Sequence, residues 1–161
     1  MLLLEENYFN FMKKTIIIIV VAVGLLFGGV WWSKSLTKND PDIISRNGLH
    51  WHPELFIFVK GVKEEIPTNI GVGFQYAGLP GYDQNMKMTG VHTHDTSGII
   101  HFEFSGLVRK KDLTLGQFFK IWGKDINSFG VNMKMTVNGK ENTEYEHYIM
   151  QDKDKIELRY E

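Results

Sequence analysis

The hydrophobic pattern of the chain changes period twice. Residues 15–32 (TIIIIVVAVGLLFGGVWW) are apolar without interruption. That makes the helix they predict hydrophobic on every face, unlike the one-sided stripe of a helix lying on a soluble core. At about 1.5 Å per residue the stretch reaches roughly 27 Å, close to the hydrocarbon thickness of a bilayer. Lys13 and Lys14 precede it, and Trp31 and Trp32 close it as an interfacial aromatic belt would. A cleaved signal peptide starting at Met12 is the competing reading. Against cleavage, GGVWWSKS lacks a small-x-small site and places two indoles there. The expectation is an uncleaved signal-anchor, embedded in the lipid bilayer of the cell membrane through residues 15–32, with the C-terminal domain outside the cytoplasm. Residues 1–14 read as a short cytoplasmic tail, or their first part as translation from an upstream start, Met12 making a more ordinary beginning.

Residues 33–47 are polar and read as a linker, leaving 48–161 as one domain of ordinary size. Leu55 to Val59 is a β-branched and aromatic run, broken at Lys60-Gly61 and resumed from Val62 to Ile66, which predicts a hairpin. Residues 73–90 are glycine-rich and aperiodic, and a loop of that length within a compact domain points to function. Next, Ile100, Phe102 and Phe104 alternate with His101 and Glu103, so a strand there turns the two sets to opposite faces. Thr114 and Gln117 have capping-box spacing ahead of the stripe Leu115, Phe118, Phe119 and Trp122, with Gly123 placed to end the helix. Met133, Met135 and Val137 alternate up to Asn138-Gly139, a type I′ turn signal, and Ile156, Leu158 and Tyr160 alternate in a last strand. One helix beside a mixed sheet of four or five strands predicts an α+β fold, best matched by a β-grasp-like roll; a cupin-like β-barrel is the alternative.

Composition removes several functions. The absence of cysteine excludes disulfides, thiolate metal sites and a Cys nucleophile. With 18 Lys and Arg against 19 Asp and Glu, and no basic block, nucleic acid is not the expected partner. No phosphate loop, dinucleotide fingerprint or serine-nucleophile motif is present.

Five of the six histidines lie in two clusters: His50-Trp51-His52, and His92-Thr93-His94 followed by His101. In extended backbone, residues two apart project to the same side, so His50 with His52, His92 with His94, and His101 with Glu103 are local pairs. If their strands are neighbours, three or four imidazoles converge, a donor set that suits Cu or Zn better than Mg or Ca. Asp95 and Glu103 are then further ligands or carboxylates that fix a ring tautomer. A single His-x-His on a strand is more often inert surface, and His50 and His52 have the bland alternative of capping the first strand. His147 is isolated and reads as structural. Met86 and Met88 offer thioethers for Cu(I), or are plain loop residues; Met133 and Met135 read as core. Three histidines with an open position would activate water, with Glu103 or Asp95 as general base; a filled site would store, transfer or stabilise. A domain that binds protein partners through pH-sensitive histidines, without metal, is the third possibility.

HWHPELFIFVKGVKEEIPTNIGVG, GVHTHDTSGIIHFEFSG, LTLGQFFKIWG and VNGKENTEYEHYIMQDKDKIEL together resemble a family of small, single-pass, membrane-anchored proteins of archaea and bacteria. The likeness spans nearly all of the exported part and is most specific at His50, His52, His92, His94, Asp95, Gly98 and His101. It implies a shared extracytoplasmic domain with a metal site and supplies no reaction. The closing stretch VNGKE…YIMQDKDKIELRY is similar, more weakly, to the last strands of β-grasp domains. Cupins also carry His-x-His followed by Glu, but Glu103 lies nine residues beyond His94, too far for their usual spacing.

Overall fold

A computed structural model describes the backbone of residues 2–38 and 40–161, and side chains from residues 12–35 and 40–161. The chain divides into two units, Met1–Pro41 and Asp42–Glu161. The first is a single helix, α1 (Leu2–Lys38). Within it, Met12–Ser35 is long and apolar enough to cross a membrane, and none of it is buried against protein. The helix thus continues past the 15–32 span, through Lys38 and into the stretch read as linker. Side chains of the tail before Met12 lie outside the described residues.

The second unit opens with β1 (Ile43–Ser45), also within the expected linker, then β2 (Leu49–Trp51), β3 (Glu54–Val59) and β4 (Val62–Glu64). The short strands β5 (Tyr82–Asp83), β6 (Met88–Thr89) and β7 (Val91–His92) lead to β8 (His101–Phe104) and β9 (Val108–Arg109). Helix α2 (Leu115–Trp122), β10 (Lys134–Val137), β11 (Lys140–Glu141) and β12 (Lys155–Tyr160) complete the unit. The architecture is α+β. Among the described residues no sheet closes into a barrel, which overturns the cupin-like alternative.

The expectation of one sheet is also corrected. A five-stranded mixed sheet runs β11-β10-β12-β3-β4, and a separate antiparallel sheet runs β2-β8-β7. In the larger sheet β3 and β12, the first and last of its strands in the chain, pair in parallel, with Leu55 opposite Ile156 and Ile57 opposite Leu158. All four of these side chains are fully buried, and α2 contributes Leu115, Phe118, Phe119 and Ile121 to the same core. Each of these apolar side chains removed from water stabilises by about 1.5–3 kcal/mol. Trp122, expected on that stripe, is only partly buried; it packs against Phe119 and Phe129 at ring separations of 5.6 and 5.7 Å, and Ile121 takes the inward place.

Thr114 Oγ1 accepts from the Gln117 amide at 3.1 Å, and Gly123 ends the helix at φ 75°, both at the positions the spacing indicated. Asn138 and Gly139 likewise take positive φ, 52° and 77°, at the β10–β11 turn. The long loop 73–90 is partly built, for β5 and β6 form a miniature hairpin within it, Tyr82 opposite Thr89.

Candidate metal centre

Strand β8 is the middle of the three-stranded sheet, and both histidine clusters pair directly with it. His50 on β2 lies opposite Glu103, and His92 on β7 lies opposite His101. His52 and His94 extend one pleat beyond the ends of β2 and β7. Alternation does the rest: Ile100 and Phe102 go fully into the core, which sends His101 and Glu103 to the other face. Gly98, at φ +95°, lets the chain enter β8 against β3; any Cβ there would lie 2.3 Å from the Leu55 carbonyl oxygen.

All five rings therefore meet. Centroids are 4.6 Å apart for His50 and His52, 5.0 Å for His52 and His101, and 4.6 Å for His94 and His101. His92 lies 4.7 Å from His94 and 5.4 Å from His101. Among the described residues the rings form two groups in which one nitrogen from each ring lies within 4.8 Å of the others: His50, His52 and His101, and His92, His94 and His101. His101 belongs to both.

The second trio is pinned more firmly. Thr93, wholly buried between its two histidines, donates Oγ1–H to the Pro67 carbonyl at 2.9 Å and accepts from the Ile70 amide at 3.1 Å. Its backbone amide donates to the Ile70 carbonyl at 3.0 Å. His92, with no exposed surface, donates Nδ1–H to the Thr89 carbonyl at 3.1 Å, which leaves the lone pair on Nε2. That nitrogen faces His94 Nε2 at 3.2 Å. The separation matches the edge of a tetrahedron about 3.3 Å long, set by metal–nitrogen bonds of about 2.0 Å.

The first trio is open to water: the side chains of His50 and His52 are 64% and 40% exposed. Each has a carboxylate beside it. Glu103 Oε1 is 3.2 Å from His50 Nε2, leaving Nδ1 as the free donor. Asp152 Oδ1 accepts from the His52 backbone amide at 2.9 Å and stands 3.9 Å from its Nδ1. A carboxylate beside a ligating ring fixes its orientation and raises its basicity.

Electrostatics keep the central rings ready to donate. Desolvation is the main cause pushing His101 down to about 4, with His94, His92 and His52 adding repulsion if charged. Burial lowers His92 as well, against the opposing hydrogen bond to Thr89. Near neutral pH both rings are uncharged, the state a metal requires.

Several anticipated residues fall elsewhere. Asp95 is exposed and caps a local turn; its Oδ1 accepts from the Ser97 amide at 2.9 Å, and hydrogen bonds from Ser97 hold its carboxyl below the usual range. It lies outside both trios. His147 is also apart from the cluster, on a surface turn with Nε2 3.5 Å from Glu146. Met86 and Met88 line a cleft of about 290 Å³ with Tyr82, Asp83 and Glu103. The Tyr82 hydroxyl is buried without a hydrogen-bond partner. Met135 is core, as read.

Sequence reasoning missed Asp152, Thr89 and Thr93. Asp152 sits 100 residues after His52 in a turn that reads as plain surface, so no local signal marks it. Thr93 was visible as the inward residue of the His-x-His repeat and went unused. Comparison with protein-family models, curated proteins and solved structures finds no match to this chain.

Proposed function

We propose that the chain is a membrane-anchored domain that binds a transition metal, Cu or Zn, through His92, His94 and His101, with His50 and His52 joining as further donors. The observation that carries this is the pair of facing Nε2 atoms of His92 and His94, 3.2 Å apart with His101 beside them. Two imidazole nitrogens turned toward one another at this distance, one of them the lone-pair Nε2 of His92, are the geometry a shared cation satisfies. A purely protein-binding role for the histidines leaves the inward-facing His92 without purpose.

The domain lies outside the cytoplasm on this reading, supported by the Lys13-Lys14 pair before the apolar span. The order β11-β10-β12-β3-β4, with its parallel central pair and a helix between the two hairpins, supports a β-grasp-like roll. The resemblance to membrane-anchored archaeal and bacterial proteins fits the same description.

The direct test is elemental analysis of tag-free full-length protein, with X-ray absorption on the same sample. The expected result is about one Zn or Cu per chain in a shell of nitrogen donors. His101→Ala should lower metal affinity by at least about 100-fold, at the upper end of what disturbing such a centre costs. Protein that stays metal-free after reconstitution, or a His101→Ala variant with full metal content, overturns the assignment.

A metal-dependent reaction is the second reading, favoured by a shallow cleft that His50 and Glu103 line together. There Glu103 would act as general base on a metal-bound water. Coordination number separates the two: an exchangeable water on the ion favours the enzyme, a shell filled by protein nitrogens the binding domain.

A further inference from the structure

The five histidines do not form one ligand set, and the two sets they form differ in kind. His50 is exposed and His52 partly so, each beside a carboxylate, Glu103 at 3.2 Å and Asp152 at 3.9 Å, and in the other trio His94 alone is exposed. His92 is inaccessible, and the backbone on both sides of it is anchored by Thr89 and Thr93. Between them stands His101, a member of both trios, with centroids 5.0 Å from His52 and 4.6 Å from His94.

We propose that the two trios are successive stations for one ion, the outer accepting it from solvent or a donor and the inner holding it, with His101 serving both. The inference rests on the metal-binding reading above. On transfer the ion exchanges the nitrogens of His50 and His52 for those of His92 and His94. The oxidation state is unchanged, and any proton that an incoming ring nitrogen carries is exchanged with solvent as the ion arrives. Glu103 and Asp152 raise the local concentration of cation at the outer trio by attraction, while among the described residues no carboxylate stands within 4 Å of His92 or His94. The carboxylates favour first encounter at the outer trio, and the buried, anchored His92 favours residence at the inner one, which sets the direction. Two divalent ions sharing the neutral His101 would repel across a few ångströms with no negative ligand between them, so one ion occupies the pair at a time.

The experiment uses full-length protein in detergent micelles and Zn(II) supplied as a coloured chelator complex, with equilibrium affinity, stoichiometry and stopped-flow transfer rate read together. Wild type should take about one Zn(II) per chain. His50→Ala/His52→Ala should keep that stoichiometry and lose clearly less affinity than His94→Ala, while transfer slows by about tenfold or more, the separation of rate from affinity that a capture step produces. His94→Ala, at an exposed position that spares the core, should cost about 100-fold in affinity and leave the initial transfer step intact. Wild-type protein that takes up two Zn(II), an outer double variant that transfers at the wild-type rate, or one that loses affinity as heavily as His94→Ala would each overturn the two-station arrangement. Failure of wild type to bind any Zn(II) or Cu would overturn the metal reading itself, a distinct result.

Discussion

The larger and smaller sheets of this domain are written in the same two-residue alternation and use it for opposite ends. In the larger sheet, Leu55, Ile57, Ile156 and Leu158 turn inward to meet α2, while Phe56 and Phe58 turn out beneath Lys63 and Arg159, whose cationic groups lie 4.8 and 4.3 Å from the rings. In the smaller sheet one face of β8, Ile100 and Phe102, joins that core, but the other gathers imidazoles. One sheet thus has an apolar inner face and an outer face of aromatic rings beneath cations, and carries no histidine. The other holds basic groups in partial desolvation, which destabilises their charged forms and readies them to coordinate. Stability and chemistry share a strand and occupy its two faces.

If that division is right, damage to one region should spare the other. The largest effect is expected from Phe118→Ala, which empties a fully buried position on α2 and should cost about 3–5 kcal/mol in denaturant unfolding. Such protein, still folded at low temperature, should keep its metal affinity; loss of affinity in the folded fraction would mean that the two regions are not separable.

Acid should act on the histidine sheet first. The depressed pKa of His101, about 4 against an ordinary 6.5, and the lowered value of His92 mean that the unfolded chain takes up protons before the folded one does. The contribution of these rings is present above pH 6.5 and is lost as pH falls from about 6.5 toward 4. Melting temperature of metal-free protein, followed against pH, should decline through that window, and the decline should shrink in His101→Ala. An unchanged profile in that variant would assign acid sensitivity elsewhere.

The smallest expected change is from Glu103→Gln. It keeps shape and removes the charge beside His50, and should reduce Zn(II) affinity by about tenfold or less. Unfolding free energy should stay within about 0.5 kcal/mol, as for other partly exposed surface positions. A large loss of stability would place Glu103 in the scaffold.

Much of this was readable from residue order because it is governed by local rules. The capped helix at Thr114, the Asn138-Gly139 turn and the two faces of residues 100–104 each depend on neighbours within a few positions. Trp122 shows where such rules stop: helical spacing puts it on the stripe, but Phe129 offers it a ring at the surface and Ile121 fills the core in its place. The split into separate sheets was not legible either, since pairing between distant strands leaves no trace in periodicity.

The histidine site divides along the same line. That the imidazoles come in strand-spaced pairs, and that His101 parts company with Ile100 and Phe102, was determined by sequence alone, because strand alternation is a property of the backbone. That β2 and β7 flank β8, that Asp152 arrives from 100 residues away, and that the five rings form two trios around His101 were decided only by the tertiary structure. Long-range strand pairing sets those distances, and it answers to the burial of the whole core, a sum that no single stretch of chain contains.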